Sequence, residues 1–186
     1  MRRDKKVFLA AMLGATVMAA PAVSIAQARG ETGWYAGISI GQSDAKDFCS
    51  GKPNCDSKDT AFRILGGYQI NRNFAAEIGY HDFGKAASVP TGDLKGNALE
   101  LVGVGSWPIA NQFSIYGKLG LFRGEVKGFG EKETNTDVTY GAGVQYDVAR
   151  NIGVRGEWQR YTKLGGGIFG VKSDVDVLSI GAIYRF

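Results

Sequence analysis

Three groups of residues in this chain could do chemistry. The first is a set of opposite charges in otherwise apolar or glycine-rich segments. Arg63, Lys118, Arg155 and Arg185 stand against Glu77, Glu100, Glu157 and Asp147, four of each sign. Charges in such surroundings persist only when paired and hydrogen-bonded. They are read as an ion-pair network with Arg63, Glu77, Glu100, Lys118, Arg155 and Glu157 at its centre. The second group is Cys49 and Cys55, the only cysteines, in "DFCSGKPNC". Two thiols could form a disulfide or hold a metal, but two cysteines with no histidine nearby make a poor metal site. The third is His81, the sole histidine. A histidine base acts on a positioned nucleophile, and no serine partner is identifiable. No catalytic residue, metal or other cofactor is expected.

The compartment bears on the cysteines. Arg2, Arg3, Lys5 and Lys6 precede an apolar run, Val7 to Ala20, followed by Pro21 and the small-residue pattern Ala26-Gln27-Ala28. This is the layout of a cleaved secretory signal peptide, and the run is too short to span a bilayer as a helix. Residues 1–28 are therefore expected to be removed, leaving one domain over 29–186. In an exported protein a Cys49–Cys55 disulfide is the default. The leader takes four basic residues and one acidic residue with it. The remaining 18 basic and 17 acidic residues give a net charge of +1. Nucleic-acid binding has no support in such a balance.

The elements that must position the charges repeat with period two. "WYAGISIG" (34–41) places Trp34, Ala36, Ile38 and Ile40 on one face and Tyr35, Gly37, Ser39 and Gly41 on the other. Such alternation predicts a strand with two unlike faces. It recurs at 61–70, 74–83, 98–107, 113–123, 138–148, 152–161 and 175–186, giving eight strands. Glycine is too abundant for stable helices, and no 18-residue apolar stretch follows the leader. Short turns, "NRN", "PIANQ" and "ARN", alternate with longer polar connections at about 43–60, 84–96, 124–137 and 162–174. This is an up-and-down antiparallel meander, which eight strands can close into a barrel.

A soluble barrel hides its apolar face and a membrane barrel turns it outward. The apolar faces carry no charge, whereas the opposite faces carry every charge named above, with Gln69, His81, Gln145 and Gln159. Burying Arg63, Lys118 or Arg155 in lipid would cost about 2–4 kcal/mol each near the midplane. The aromatics of the apolar faces also collect at two levels. Trp34, Tyr68, Phe74, Trp107, Phe113, Tyr146, Tyr184 and Phe186 lie at the short-turn ends, and Phe62, Tyr80, Tyr140 and Trp158 towards the long-loop ends. Rings at both headgroup levels belong to a transmembrane β-barrel. The fold class is all-β: an eight-stranded antiparallel up-and-down transmembrane β-barrel.

The stretches "GGYQI" (66–70), "AEIGY" (76–80), "SIYGKLGL" (114–121), "YGAGVQY" (140–146), "VRGEWQ" (154–159) and "LSIGAIYRF" (178–186) resemble the OmpA-like transmembrane domain and the small outer-membrane barrels of Gram-negative bacteria. The resemblance covers residues 33–186. It implies a multi-pass protein of the cell outer membrane. The implied partners are outer-membrane lipid and lipopolysaccharide, periplasmic chaperones and the outer-membrane assembly machinery, with a surface ligand or host receptor met through the loops. The peptidoglycan-binding periplasmic domain of OmpA is not carried over. It further implies that the last strand, with Gly181, Tyr184 and Phe186, is an assembly signal. In the resembled pattern an arginine on strand seven pairs with a glutamate on strand three. That arginine can swap to a glutamate on strand six, displacing a lysine on strand four. Arg155 and Glu77 match the first pair, but Gln145 and Val104 stand where the swap partners would be. The expected function is non-enzymatic: envelope integrity and presentation of surface loops. A narrow gated channel is the alternative. A lipid A-modifying enzyme using His81 is a more remote one.

Overall fold

The computed structural model describes residues 32–44, 58–89, 92–128, 131–164 and 173–186. Cys49, Cys55, the proposed leader and most of the first and last long connections lie outside the described residues. Alternating segments can bury one face only by pairing with neighbours, and here they do so in chain order. The strands are β1 (Gly33–Asp44), β2 (Lys58–Gln69), β3 (Phe74–Val89), β4 (Gly92–Pro108), β5 (Phe113–Gly128), β6 (Glu131–Asp147), β7 (Ile152–Leu164) and β8 (Ser173–Arg185). Each pairs antiparallel with the next, and β1 pairs with β8, from Tyr35↔Arg185 to Asp44↔Asp176. The backbone N–H of Phe186 donates to the Trp34 carbonyl at 3.0 Å and completes the seam. The eight expected strands and the closed barrel are both present.

The short turns follow from local chemistry. Asn71 Oδ1 accepts from the backbone N–H groups of Asn73 and Phe74, both at 2.9 Å, so the asparagine side chain shapes the β2–β3 turn.

Two of the expected loops are corrected. Residues 84–96 and 124–137 are largely strand: β3 and β4 pair out to Val89↔Gly92, and β5 and β6 to Gly128↔Glu131. Their polar composition reads as loop, yet a polar outward face is what a strand needs once it has left the lipid. The outward face changes character at one level, passing from Leu99 to Asn97, Leu121 to Arg123, Trp158 to Arg160 and Leu178 to Asp176. At Gly84 the backbone takes φ +66°, a left-handed value suited to glycine, and its N–H donates to Asp82 Oδ1 at 2.9 Å. A register shift falls at the same place.

The lumen also differs from a uniformly polar interior. An outer apolar layer contains Phe83, Phe122, Val126, Tyr161, Leu164, Val175 and Val177. An inner layer contains Tyr35, Leu65, Val102, Val104, Tyr116 and Ile183. The charges lie between the two. Outside, Trp34 is 66% exposed and Leu101 64%, whereas Val102, one residue on, is 2% exposed. The hydrophobic belt therefore faces outward. The outer lumen layer sits where the barrel emerges from the belt and again needs an apolar inside.

Candidate functional site

Strand pairing places five of the six central charges beside gaps. Glu77 lies opposite Gly67, Glu100 opposite Gly79, Lys118 opposite Gly141, Glu157 opposite Gly143 and Arg155 opposite Gly181. Five long charged side chains thus enter a narrow lumen across strands that carry no side chain at that position. Arg63 lies between Ser39 and His81.

The side chains converge on a single network. Arg63 Nη2 contacts Glu77 Oε2 at 3.1 Å and pairs with Glu100 Oε1, while its Nη1 reaches Glu157 Oε1 at 3.2 Å. Arg155 Nη1 pairs with Glu77 Oε1 at 2.5 Å, and Lys118 Nζ with Glu157 Oε1 at 2.6 Å. Each carboxylate also accepts one tyrosine hydroxyl: Tyr35 donates to Glu77 at 2.8 Å, Tyr116 to Glu157 at 2.8 Å and Tyr161 to Glu100 at 2.7 Å. Gln159 Nε2 donates to Glu100 Oε2 at 2.6 Å. Three cations balance three anions, and all six carboxylate oxygens have a partner. That is the condition under which buried charge is tolerated. The Arg155 guanidinium also lies over the rings of Tyr35 and Tyr116, at 5.4 and 5.1 Å from their centroids.

Tyr35, Tyr116, Tyr161 and Gln159 are members that the sequence reading missed. Their inward parity was visible, but a tyrosine on a strand carries no mark of whether its hydroxyl will meet a carboxylate. Two of the rings lie over glycines: a Cβ on Gly67 would collide with Tyr35, and one on Gly143 with Tyr116. Arg185 and Asp147 form a separate pair near the short-turn end, at 2.9 Å, with Gln145 Nε2 donating to the same Asp147 oxygen at 2.8 Å.

Val104 sits in the inner apolar layer, directly across from Lys118. The lysine absent from β4 thus has a counterpart at the same level on β5. Gln145 accepts from Arg155 Nε at 2.9 Å.

His81 is buried beside the network, with Phe83 stacked on it at 5.6 Å and Tyr161 edge-on at 5.1 Å. Neither ring nitrogen makes a hydrogen bond, and Nε2 stands 3.7 Å from Glu100 Oε1. Among the described residues no nucleophile is paired with it. No group of metal-ligating side chains occurs among the described residues.

In the last strand, Tyr184 and Phe186 face outward with ring centroids 5.3 Å apart, and Trp34 lies on the adjoining strand. Gly181 faces inward, where a Cβ would press on the Ile38 carbonyl and Ser39. Close packing against β1 accounts for this glycine.

Comparison with known proteins agrees with this geometry. A family model described as the OmpA-like transmembrane domain matches residues 29–186. Outer membrane protein A of Klebsiella pneumoniae is 30% identical over 174 residues, which cover 82% of this chain and 51% of that protein. The chain spans about half the length of the curated relatives it matches. Among solved structures, Neisserial surface protein A superposes with a TM-score of 0.64 at 21% identity, covering 82% of this chain and 97% of that one. The attachment invasion locus protein Ail of Yersinia pestis gives 0.55 at 21% identity, covering 86% and 100%. At these identities the solved structures speak for the fold.

Proposed function

The chain belongs to the OmpA-like transmembrane domain family and is an outer-membrane β-barrel protein, and on that premise we propose that it reinforces the envelope and presents a surface-binding platform. The observation that carries this reading is the filled lumen: a balanced ionic layer held between two apolar layers. A barrel packed in this way is a rigid post. The strand pairs β3–β4 and β5–β6 extend beyond the lipid-facing belt, out to Val89↔Gly92 and Gly128↔Glu131, and these two hairpin extensions are the parts offered to an external ligand or host receptor. Periplasmic chaperones and the assembly machinery deliver the barrel. The last strand, with Gly181, Tyr184 and Phe186, serves as the assembly signal, in keeping with capture of an exposed strand by edge pairing. A Cys49–Cys55 disulfide braces the first connection.

The test is a deletion strain complemented by the full chain or by a variant with both hairpins shortened. The full chain is expected to restore detergent resistance and surface binding. The shortened variant should restore resistance alone. Unchanged detergent resistance on deletion would refute the envelope role, and undiminished binding by the shortened variant would refute the platform.

A narrow gated channel has one observation in its favour. The Lys118–Glu157 pair stands beside Arg155–Glu77 and offers a second carboxylate for exchange. Planar-bilayer recording of purified protein decides this point, because current above background would favour the channel over the post.

A further inference from the structure

Below the ionic layer, at the short-turn end, the lumen opens into a cavity of about 340 Å³ that meets the network at Tyr35 and Arg155. This size falls within the range of small-ligand pockets. Four arginines line it, Arg72, Arg150, Arg155 and Arg185, and no aspartate or glutamate lines it among the described residues. Behind the wall, Asp147 bonds Arg185 and Glu77 bonds Arg155. Arg155 spends Nη1 on Glu77 and Nε on Gln145, and it lines the cavity on the side of the network. Arg72 and Arg150 come from two different turns and stand exposed at the rim. A concave site of one charge sign with low-dielectric walls focuses its field on counter-ions. Guanidinium forks match the oxygens of phosphate.

We propose that this vestibule is a binding site for a glycerophosphate group, with Arg150 and Arg72 gripping the phosphate against Arg155 and Arg185. The volume exceeds that of a lone phosphate and leaves room for the glycerol. Trp34, Tyr184 and Phe186 form the lip at the β1–β8 seam, where the cavity meets the lipid-facing surface. Two sources carry this chemistry: a free glycerol phosphate, and the headgroup of a phospholipid in the adjoining leaflet.

The experiment is amide NMR of the folded full barrel in alkyl-maltoside micelles, whose headgroups contain no phosphate. One arm titrates sn-glycerol 3-phosphate, a second adds short-chain phosphatidylglycerol, and a third adds chloride at equal ionic strength. Saturable shifts are expected at residues 72, 145, 150, 151 and 185, and chloride should not reproduce them. Arg150→Gln should weaken binding about tenfold, as expected for loss of one charge-assisted contact. Arg123→Gln, on the outward face at the far end, should leave it unchanged. Boiled and unboiled gel mobility checks that each variant is folded. Saturation by the lipid alone would assign the headgroup as the source, and saturation by both would assign the free ester as sufficient. Absence of saturable shifts in both arms, equal shifts with chloride, or unaltered binding by Arg150→Gln would overturn the site.

Discussion

Replacing Arg63 by methionine removes the one side chain that touches all three buried carboxylates. The loss is uneven. Glu77 keeps Arg155 and Tyr35, and Glu157 keeps Lys118 and Tyr116. Glu100 keeps only the neutral donors Tyr161 and Gln159, with His81 at 3.7 Å. One carboxylate is thus left buried without a cation, and such losses cost about 3–5 kcal/mol. Glu100→Gln alone should cost less, about 1–3 kcal/mol, since Arg63 retains two carboxylates. In the double variant the Arg155–Glu77 and Lys118–Glu157 pairs remain balanced. It should therefore be more stable than Arg63→Met alone, with a coupling of about 2 kcal/mol or more. Urea titration of barrels folded into lipid vesicles measures this. Both the heat-modifiable gel band and tryptophan emission report folding, because Trp34, Trp107 and Trp158 all face outward. A cost below about 1 kcal/mol for Arg63→Met, or strict additivity in the double variant, would refute the hub assignment.

Four shorter predictions follow from the same geometry. Gly67→Ala should destabilise the barrel by about 1–3 kcal/mol because its Cβ meets the Tyr35 ring, whereas Gly66→Ala, with nothing within 4 Å, should be neutral in the same titration. Leu101→Arg, in the middle of the outward belt, should cost about 2–4 kcal/mol, and Asn97→Arg, above it, about 1 kcal/mol or less. Phe186→Ala should lower the amount of heat-modifiable barrel in the outer membrane without altering the unfolding midpoint of barrel refolded in vitro. A maleimide probe should leave Cys49 and Cys55 unlabelled on intact cells until a reductant is added, whereas immediate labelling would exclude the disulfide.

How much was legible in the sequence differs from residue to residue. Arg63, Glu77, Glu100, Lys118, Arg155 and Glu157 could be placed on inward faces because a strand has a period of two and lipid tolerates no charge. Their partners could not be placed. Arg63 and Glu157 are 94 positions apart, and nothing local encodes their meeting. The strand ends were misread at 84–96 and 124–137 for a related reason. Alternation identifies a strand by contrast between faces, and that contrast inverts once the chain leaves the bilayer. Val126 and Phe122 turn inward while Arg123 and Glu125 turn outward, so the same period carries the opposite polarity.

The sequence by itself determined the number of strands, their antiparallel order, which face meets lipid and which residues are therefore lumenal. These follow from short-range rules of pleat, turn length and the cost of charge in hydrocarbon. The tertiary structure decided which charge meets which, why Tyr35 and Tyr116 lie over Gly67 and Gly143, and that an arginine-lined vestibule opens below the network. Those depend on barrel closure. Only when β8 bonds to β1 does the curvature bring side chains from opposite walls within a few ångströms, and the pairing of distant residues is a property of that closed circumference.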